Sequence, residues 1–164
     1  MTNRSKIIKR IAGAALIAAA SFTAGVLWAQ KPAKPPLDSH IWSAADTRTS
    51  NGDWGEIHLY TEDAQPSYGN SSVLTASLTF LPGKRLQPPH QHPDEEFQYV
   101  IEGEGTWFLN GKEQPLHAGD LMYSKPWDWH GIRNSSDKPM RFFVFKFRSR
   151  GVPEPVKPPE ATSN

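Results

Sequence analysis

His90-Gln91-His92-Pro93-Asp94-Glu95-Glu96-Phe97-Gln98-Tyr99-Val100-Ile101-Glu102-Gly103-Glu104-Gly105 holds both the fold and the chemistry of this 164-residue chain. Its second half is a short apolar run, Phe97 to Ile101, that ends in glycine-rich turn residues. The next run, Thr106 to Leu109, meets Asn110-Gly111, the strongest short-range hairpin signal. Outward from there the pattern repeats. Ile57 and Leu59 alternate with polar neighbours, Val73 to Leu81 ends at Pro82-Gly83, Leu121 to Tyr123 follows Ala118-Gly119-Asp120, and Met140 to Phe147 closes the series. Short strands between regular turn signals predict an all-β sandwich or barrel. No convincing helix is expected beyond the leader. Phe143, Phe145 and Phe147 alternate with Phe142, Val144 and Lys146, so the last strand reads as a central one covered on both sides.

The first half of the quoted stretch carries the chemistry. Two imidazoles, a carboxylate and the distant His130 are the parts of a mononuclear metal site. On a strand, side chains at even intervals share a face, so His90, His92 and Glu96 would point inward together, with Pro93 disturbing the register. Gln98 has the parity of Glu96 and is a candidate for the same cavity, although an ordinary strand polar residue explains it as well. Trp127 and Trp129 flank Asp128 just before His130. They read either as aromatic walls of a pocket mouth or as loop-packing residues. His40, His58 and His117 lack such neighbours and read as surface or satisfied structural residues.

The quoted residues also follow a two-part spacing. Gly83 is followed after six residues by His90-x-His92, after three more by Glu96 and after six more by Gly103. Gly119-Asp120 is followed by Lys125-Pro126-Trp127, His130 and, after three residues, Asn134. Together these resemble the two motifs of the cupin superfamily, in its small single-domain form. The resemblance implies a double-stranded β-helix, or jelly-roll, barrel. It also implies one divalent metal ion held by His90, His92, Glu96 and His130, and a homodimer paired through edge strands. The sequence departs from the pattern by one extra residue before His90, by a displaced proline, and by Trp127 where glycine is usual.

Imidazole and carboxylate ligands suit iron or manganese, with nickel, zinc and copper as alternatives, and four protein ligands leave positions open on an octahedral ion. An open position admits substrate, water or dioxygen. The expected function is therefore that of a metal-dependent enzyme acting on a small organic substrate, as an oxygenase, isomerase, decarboxylase or lyase. The alternatives are a small-molecule or sugar-binding module without turnover and a protein that uses the ion for stability.

Composition narrows the partners and the compartment. Arg4, Lys6, Lys9 and Arg10 precede an apolar run from Ile11 to Trp28, the pattern of an export helix. The bulky Leu27 and Trp28 make a poor cleavage site, and the run approaches the ~18 residues of a membrane span. Residues 1–29 are thus a signal peptide or an uncleaved signal anchor, and the folded part is expected to be periplasmic or secreted. Without that segment 14 basic residues face 17 acidic ones, a net charge of −3 against +1 for the whole chain. A mildly acidic surface without basic runs argues against nucleic acid. Cysteine is absent, so no disulfide or thiolate enters. Residues 30–37 read as a proline-rich linker, 38–150 as the β-barrel domain, and 151–164, with four prolines, as a disordered tail.

Overall fold

The computed structural model describes residues 34–61 and 65–159. Among the described residues nine strands follow one another: β1 (Arg48–Gly52), β2 (Gly55–Leu59), β3 (Asn70–Phe80), β4 (Glu95–Glu102), β5 (Glu104–Leu109), β6 (Lys112–His117), β7 (Leu121–Ser124), β8 (His130–Arg133) and β9 (Met140–Ser149). They form a six-stranded sheet in the order β1-β2-β3-β9-β4-β7 and a three-stranded sheet in the order β6-β5-β8. Each strand pair is antiparallel. The domain is all-β and fits a jelly-roll sandwich.

The inner faces follow the period-two rule. Leu78 and Phe80 on β3, Val100 on β4, and Met140, Phe142 and Val144 on β9 are buried, and they meet Trp107, Leu116 and Ile132 from the smaller sheet. Each such side chain contributes about 1.5–3 kcal/mol on burial. At the far end of this stack the inward positions turn polar: Glu96 and Gln98 on β4, Ser124 on β7 and His130 on β8 are all buried. The lumen is therefore apolar at one end and hydrogen-bonding at the other.

Asn110 and Gly111 both take positive φ, 48° and 84°, the signature of the tight turn that the sequence predicted between β5 and β6. Gly103, at φ +85°, joins β4 to β5. A Cβ there would sit 2.8 Å from the Pro139 carbonyl oxygen, so no other residue fits without a backbone shift.

Among the described residues the one helical element is the 3-10 turn Ala44–Asp46, capped by Ser43, in keeping with the expectation of no convincing helix. The Asn110-Gly111 hairpin implies β6 and the second motif implies β8, but β1 is not announced by the sequence. β1 is exposed along its whole length, and β6 carries Pro115 and buries only Leu116, so neither shows an apolar alternation. β9 is central, as predicted, but Phe143, Phe145 and Phe147 on its outer side are only half-buried. Those rings pack along the sheet, Phe145 on Phe147 at 5.2 Å, and Phe147 lines a small cavity with Val152, Pro153 and Pro155. The expected export helix falls on residues 1–29, outside the described residues.

Candidate metal centre

His90, His92 and His130 present ring nitrogens that all lie within 4.8 Å of one another, a group that could hold a metal ion. They come together from one loop, between β3 and β4, and one strand end. His130 opens β8, while His90 lies in the irregular segment before β4 and is tied to it by a reciprocal backbone bridge of two 2.9 Å hydrogen bonds. His92 also precedes β4, and its carbonyl accepts the Trp127 N–H at 2.9 Å. Strand parity therefore does not align His90 and His92 with Glu96. Only Glu96 and Gln98 share the inner face of β4, and the bridge to β8 brings His90 in.

Two of the rings have their tautomers set by backbone. His130 Nδ1 donates to the Asp128 carbonyl at 2.8 Å and His92 Nδ1 to the Asp94 carbonyl at 3.2 Å. Each Nε2 is then left as a lone pair. His92 Nε2 is 3.2 Å from Glu96 Oε2 and His130 Nε2 is 3.6 Å from Glu96 Oε1. His130 Nε2 is buried and has no hydrogen-bond partner. Lone pairs converging on a carboxylate repel unless a proton or a cation lies among them. The donor set thus fits a divalent cation, on the evidence of an orphaned nitrogen and the acceptors around it.

The electrostatics agree. Burial pushes the His90 imidazole below its ordinary value, reinforced by the neighbouring His130, and burial likewise lowers His130 against the opposing Asp128 hydrogen bond and Glu96 charge. Both stay neutral, the form that binds metal. For Glu96 burial acts upward. A proton shared with the His92 ring, the His130 and His92 rings whenever one of them is protonated, and the Gln98 amide outweigh it and hold the carboxyl low.

A cavity of about 180 Å³ opens beside these residues. Its polar end comprises Gln87, His90, His92, Glu96, Gln98 and Lys146, and the rest is aliphatic and aromatic wall from β2, β3, β8 and β9. Gln98 donates a short hydrogen bond from Nε2 to Glu96 Oε1, while its Oε1 is buried without a partner. Trp127 and Trp129 are not among the lining residues. Trp127 instead donates its indole N–H to the Pro155 carbonyl at 2.6 Å, and Trp129 is about half exposed. Trp127 keeps the backbone of the glycine it replaces, with φ +66°. Lys146 and Gln87 went unnoticed in the sequence. The alternation Phe142, Val144, Lys146 would have flagged the first, because a lysine there interrupts an inward apolar series. The other histidines stand apart: His58 accepts from or donates to Thr47 at 3.0 Å, His40 stacks on Trp42, and His117 pairs with Asp120.

Fold and site define a small β-sandwich protein with a histidine cluster at the polar end of its lumen. Residues 76–146, 71 of the 164, match the family model described as "Cupin domain", which together with the solved cupin structures it resembles supports the cupin superfamily in its small single-domain form. A gentisate 1,2-dioxygenase from a Streptomyces species is 32% identical over 74 residues, which cover 44% of this chain and 20% of that protein. The chain thus spans about a fifth of that relative's length. An oxalate-binding protein from Thermotoga maritima is 29% identical over 101 residues, 61% of this chain and 80% of the relative. Among solved structures, an RmlC-like cupin from Shewanella frigidimarina superposes with a TM-score of 0.56 at 18% identity, over 70% of this chain and 95% of that one.

Proposed function

We propose that the chain is a metal-dependent cupin enzyme in which His90, His92, Glu96 and His130 hold one divalent ion, iron or manganese, next to a pocket for a small organic substrate. The observation that carries this reading is the buried, unpartnered Nε2 of His130 facing Glu96 and the other two rings. A bound ion of this kind supplies Lewis acidity and, with iron or manganese, access to oxygen chemistry. The protein does the rest. The Asp94 and Asp128 carbonyls fix the ring tautomers, Gln98 orients Glu96, and Glu96 offsets part of the ion's charge. The apolar walls exclude water from the substrate side. The reaction is an oxygenation, or an isomerisation, decarboxylation or lyase step, and the partial likeness to a gentisate dioxygenase favours the first.

Binding without turnover is the second reading, favoured by the likeness to the oxalate-binding protein over four-fifths of its length. Elemental analysis of protein purified without added metal, followed by oxygen uptake with catechols, thiols and 2-oxo acids, separates the two. Iron or manganese near one per chain with substrate-dependent oxygen consumption supports the oxygenase, and tight binding with neither uptake nor product supports the module. His92→Ala is expected to lose the ion. Full retention by that variant overturns the ligand assignment. The protein acts outside the cytoplasmic membrane, exported by residues 1–29, and pairs as a homodimer. Cell fractionation and light scattering test these last two points.

A further inference from the structure

The chain beyond β9 carries proline at positions 153, 155, 158 and 159, which presets φ there and removes four N–H donors. Such a stretch makes a poor strand, and none of the nine includes it. It is attached by side chains instead. Trp127 donates its indole N–H to the Pro155 carbonyl at 2.6 Å, and Arg148 Nη1 donates to Glu154 Oε2 at 2.7 Å. Pro155 is the one half-buried residue among 151–159, and with Val152 and Pro153 it closes a cavity of about 90 Å³ against Pro93, Pro126 and Phe147. Both attachments lead on to the histidines. The Trp127 backbone N–H donates to the His92 carbonyl, and the next residue is Asp128, whose carbonyl sets the His130 tautomer. Arg148 also holds Asp94 at 2.9 Å, and the Asp94 carbonyl sets the His92 tautomer.

Two features turn this attachment into a coupling. The first is that it is shallow. One neutral hydrogen bond and one ion pair whose side chains are 32% and 54% exposed hold a stretch that is otherwise in solvent, so it docks and releases without the core opening. The second is that its two anchors sit on different elements. Trp127 precedes β8 and Arg148 ends β9, and both meet the loop that carries His90 and His92. An ion held between His92 and His130 fixes that loop against the start of β8, which is the arrangement in which Trp127 and Arg148 reach the same five residues, 151–155, together.

We infer that residues 151–159 form a strap whose docking is energetically linked to occupancy of the metal centre, with Trp127 and Arg148 as the positioning residues that connect the two. The link rests on the proposed ligand set for the ion itself. Strap and ion never touch: each favours the loop placement that the other needs. Linkage is reciprocal, so the factor by which the docked strap raises metal affinity is the factor by which the ion tightens the strap. Prolines at 153 and 155 suit this role, because a stretch with preset φ loses less freedom on docking.

The test follows hydrogen exchange of the Trp127 indole proton in the isotope-labelled full-length protein, first metal-free and then with zinc as the probe ion. Trp127→Phe assigns the signal by its loss. Zinc is expected to slow the exchange about tenfold, the low end of what supporting contacts add to metal affinity, and a chain ending at Arg150 to bind zinc more weakly by the same factor. The zinc-free Tm of that shorter chain stays within about 5 °C of the full-length value, because no member of the buried core lies beyond Val144. Pro153→Gly/Pro155→Gly in the full-length chain leaves every acceptor in place and loosens only the strap, and it is expected to weaken zinc binding about threefold. Equal zinc affinity in all three chains, or indole exchange indifferent to zinc, overturns the link and leaves the ligand set standing. A full-length protein that binds zinc no better than His92→Ala overturns the ligand set, and the link with it.

Discussion

Replacing Gln98 by leucine separates the work this side chain does for the metal centre from what it does for the fold. Its Nε2–H donates to the Glu96 carboxylate, a hydrogen bond to a charged group that is worth about 1.5–3 kcal/mol. Its Oε1 is buried with no partner, which costs about 1–3 kcal/mol. Leucine removes both terms in a similar volume, so they offset. The expected change in stability of the chelated protein is within about 1 kcal/mol, or roughly 5 °C in Tm for a domain of this size. The metal centre has no such offset. Glu96 loses the donor that fixes its rotamer and helps hold its carboxyl low, and such supporting contacts typically carry 10–100-fold in metal affinity.

Two assays on Gln98→Leu therefore give opposite answers: calorimetry of the chelated protein shows little change, and competition with a chromophoric chelator shows affinity lower by one to two decades. The pH at which the ion is released also moves upward, because Glu96 without the amide is protonated more easily. A Tm that drops by many degrees while affinity is unchanged would sink the reasoning and make Gln98 a packing residue.

Acid sensitivity has a definite sign. Burial holds His90 and His130 below their ordinary 6.5, so the unfolded chain takes up more protons as pH falls below that value and stability declines. The depressed Glu96 carboxyl adds stability that is present above 4.5 and lost as pH falls through its folded value. Tm and metal affinity both decrease from pH 7 to pH 4, and a flat Tm across that range contradicts it. Arg148→Ala removes the guanidinium 2.9 Å from the nearly buried Asp94, whose carbonyl sets the His92 tautomer. Stability is expected to fall by about 1–3 kcal/mol, discounted because Arg148 is a third exposed, and metal affinity by about tenfold. Unchanged affinity would disconnect Arg148 from the centre. Gly103→Ala combines positive φ with a blocked Cβ position and is expected to cost at least about 2 kcal/mol by denaturant unfolding, with a neutral result contradicting the turn geometry.

Legibility in the sequence tracked burial. Strands with one apolar face, such as β3, β4 and β9, announce themselves by alternation, and Asn110-Gly111 announces a turn because few residues tolerate its dihedral angles. β1 and β6 sit at sheet edges and are held by backbone pairing with exposed side chains, so nothing in their composition distinguishes them from loop. The three histidines were legible from spacing, yet for a reason other than strand parity: His90 reaches the lumen through its bridge to His130, a pairing between residues forty positions apart. For Trp127 the sequence left a pocket wall and a loop-packing residue open, and its contact is of the packing kind. Its partner, Pro155, lies 28 residues downstream, and no local pattern shows that.

The same contacts explain how a motif with a bulky residue in a glycine position still builds the site. The left-handed conformation of Trp127 costs roughly 1–2 kcal/mol for a non-glycine residue. Against this the indole N–H gains the Pro155 carbonyl, about 0.5–1.5 kcal/mol net, while the backbone bond to the His92 carbonyl is one a glycine would also make. The two terms are of similar size, so tryptophan exchanges backbone freedom for attachment. Arg148 repeats the arrangement by joining Asp94 to Glu154 at 2.7 Å, and Asn110 does so from the hairpin by holding Asp128 and Trp129 at 2.9 and 3.0 Å. The segments around His92 and before His130 have little regular structure of their own. Their positions are set by side chains from the hairpin, from the end of β9 and from the proline-rich stretch beyond it, so the geometry of the centre depends on residues that no metal-binding motif contains.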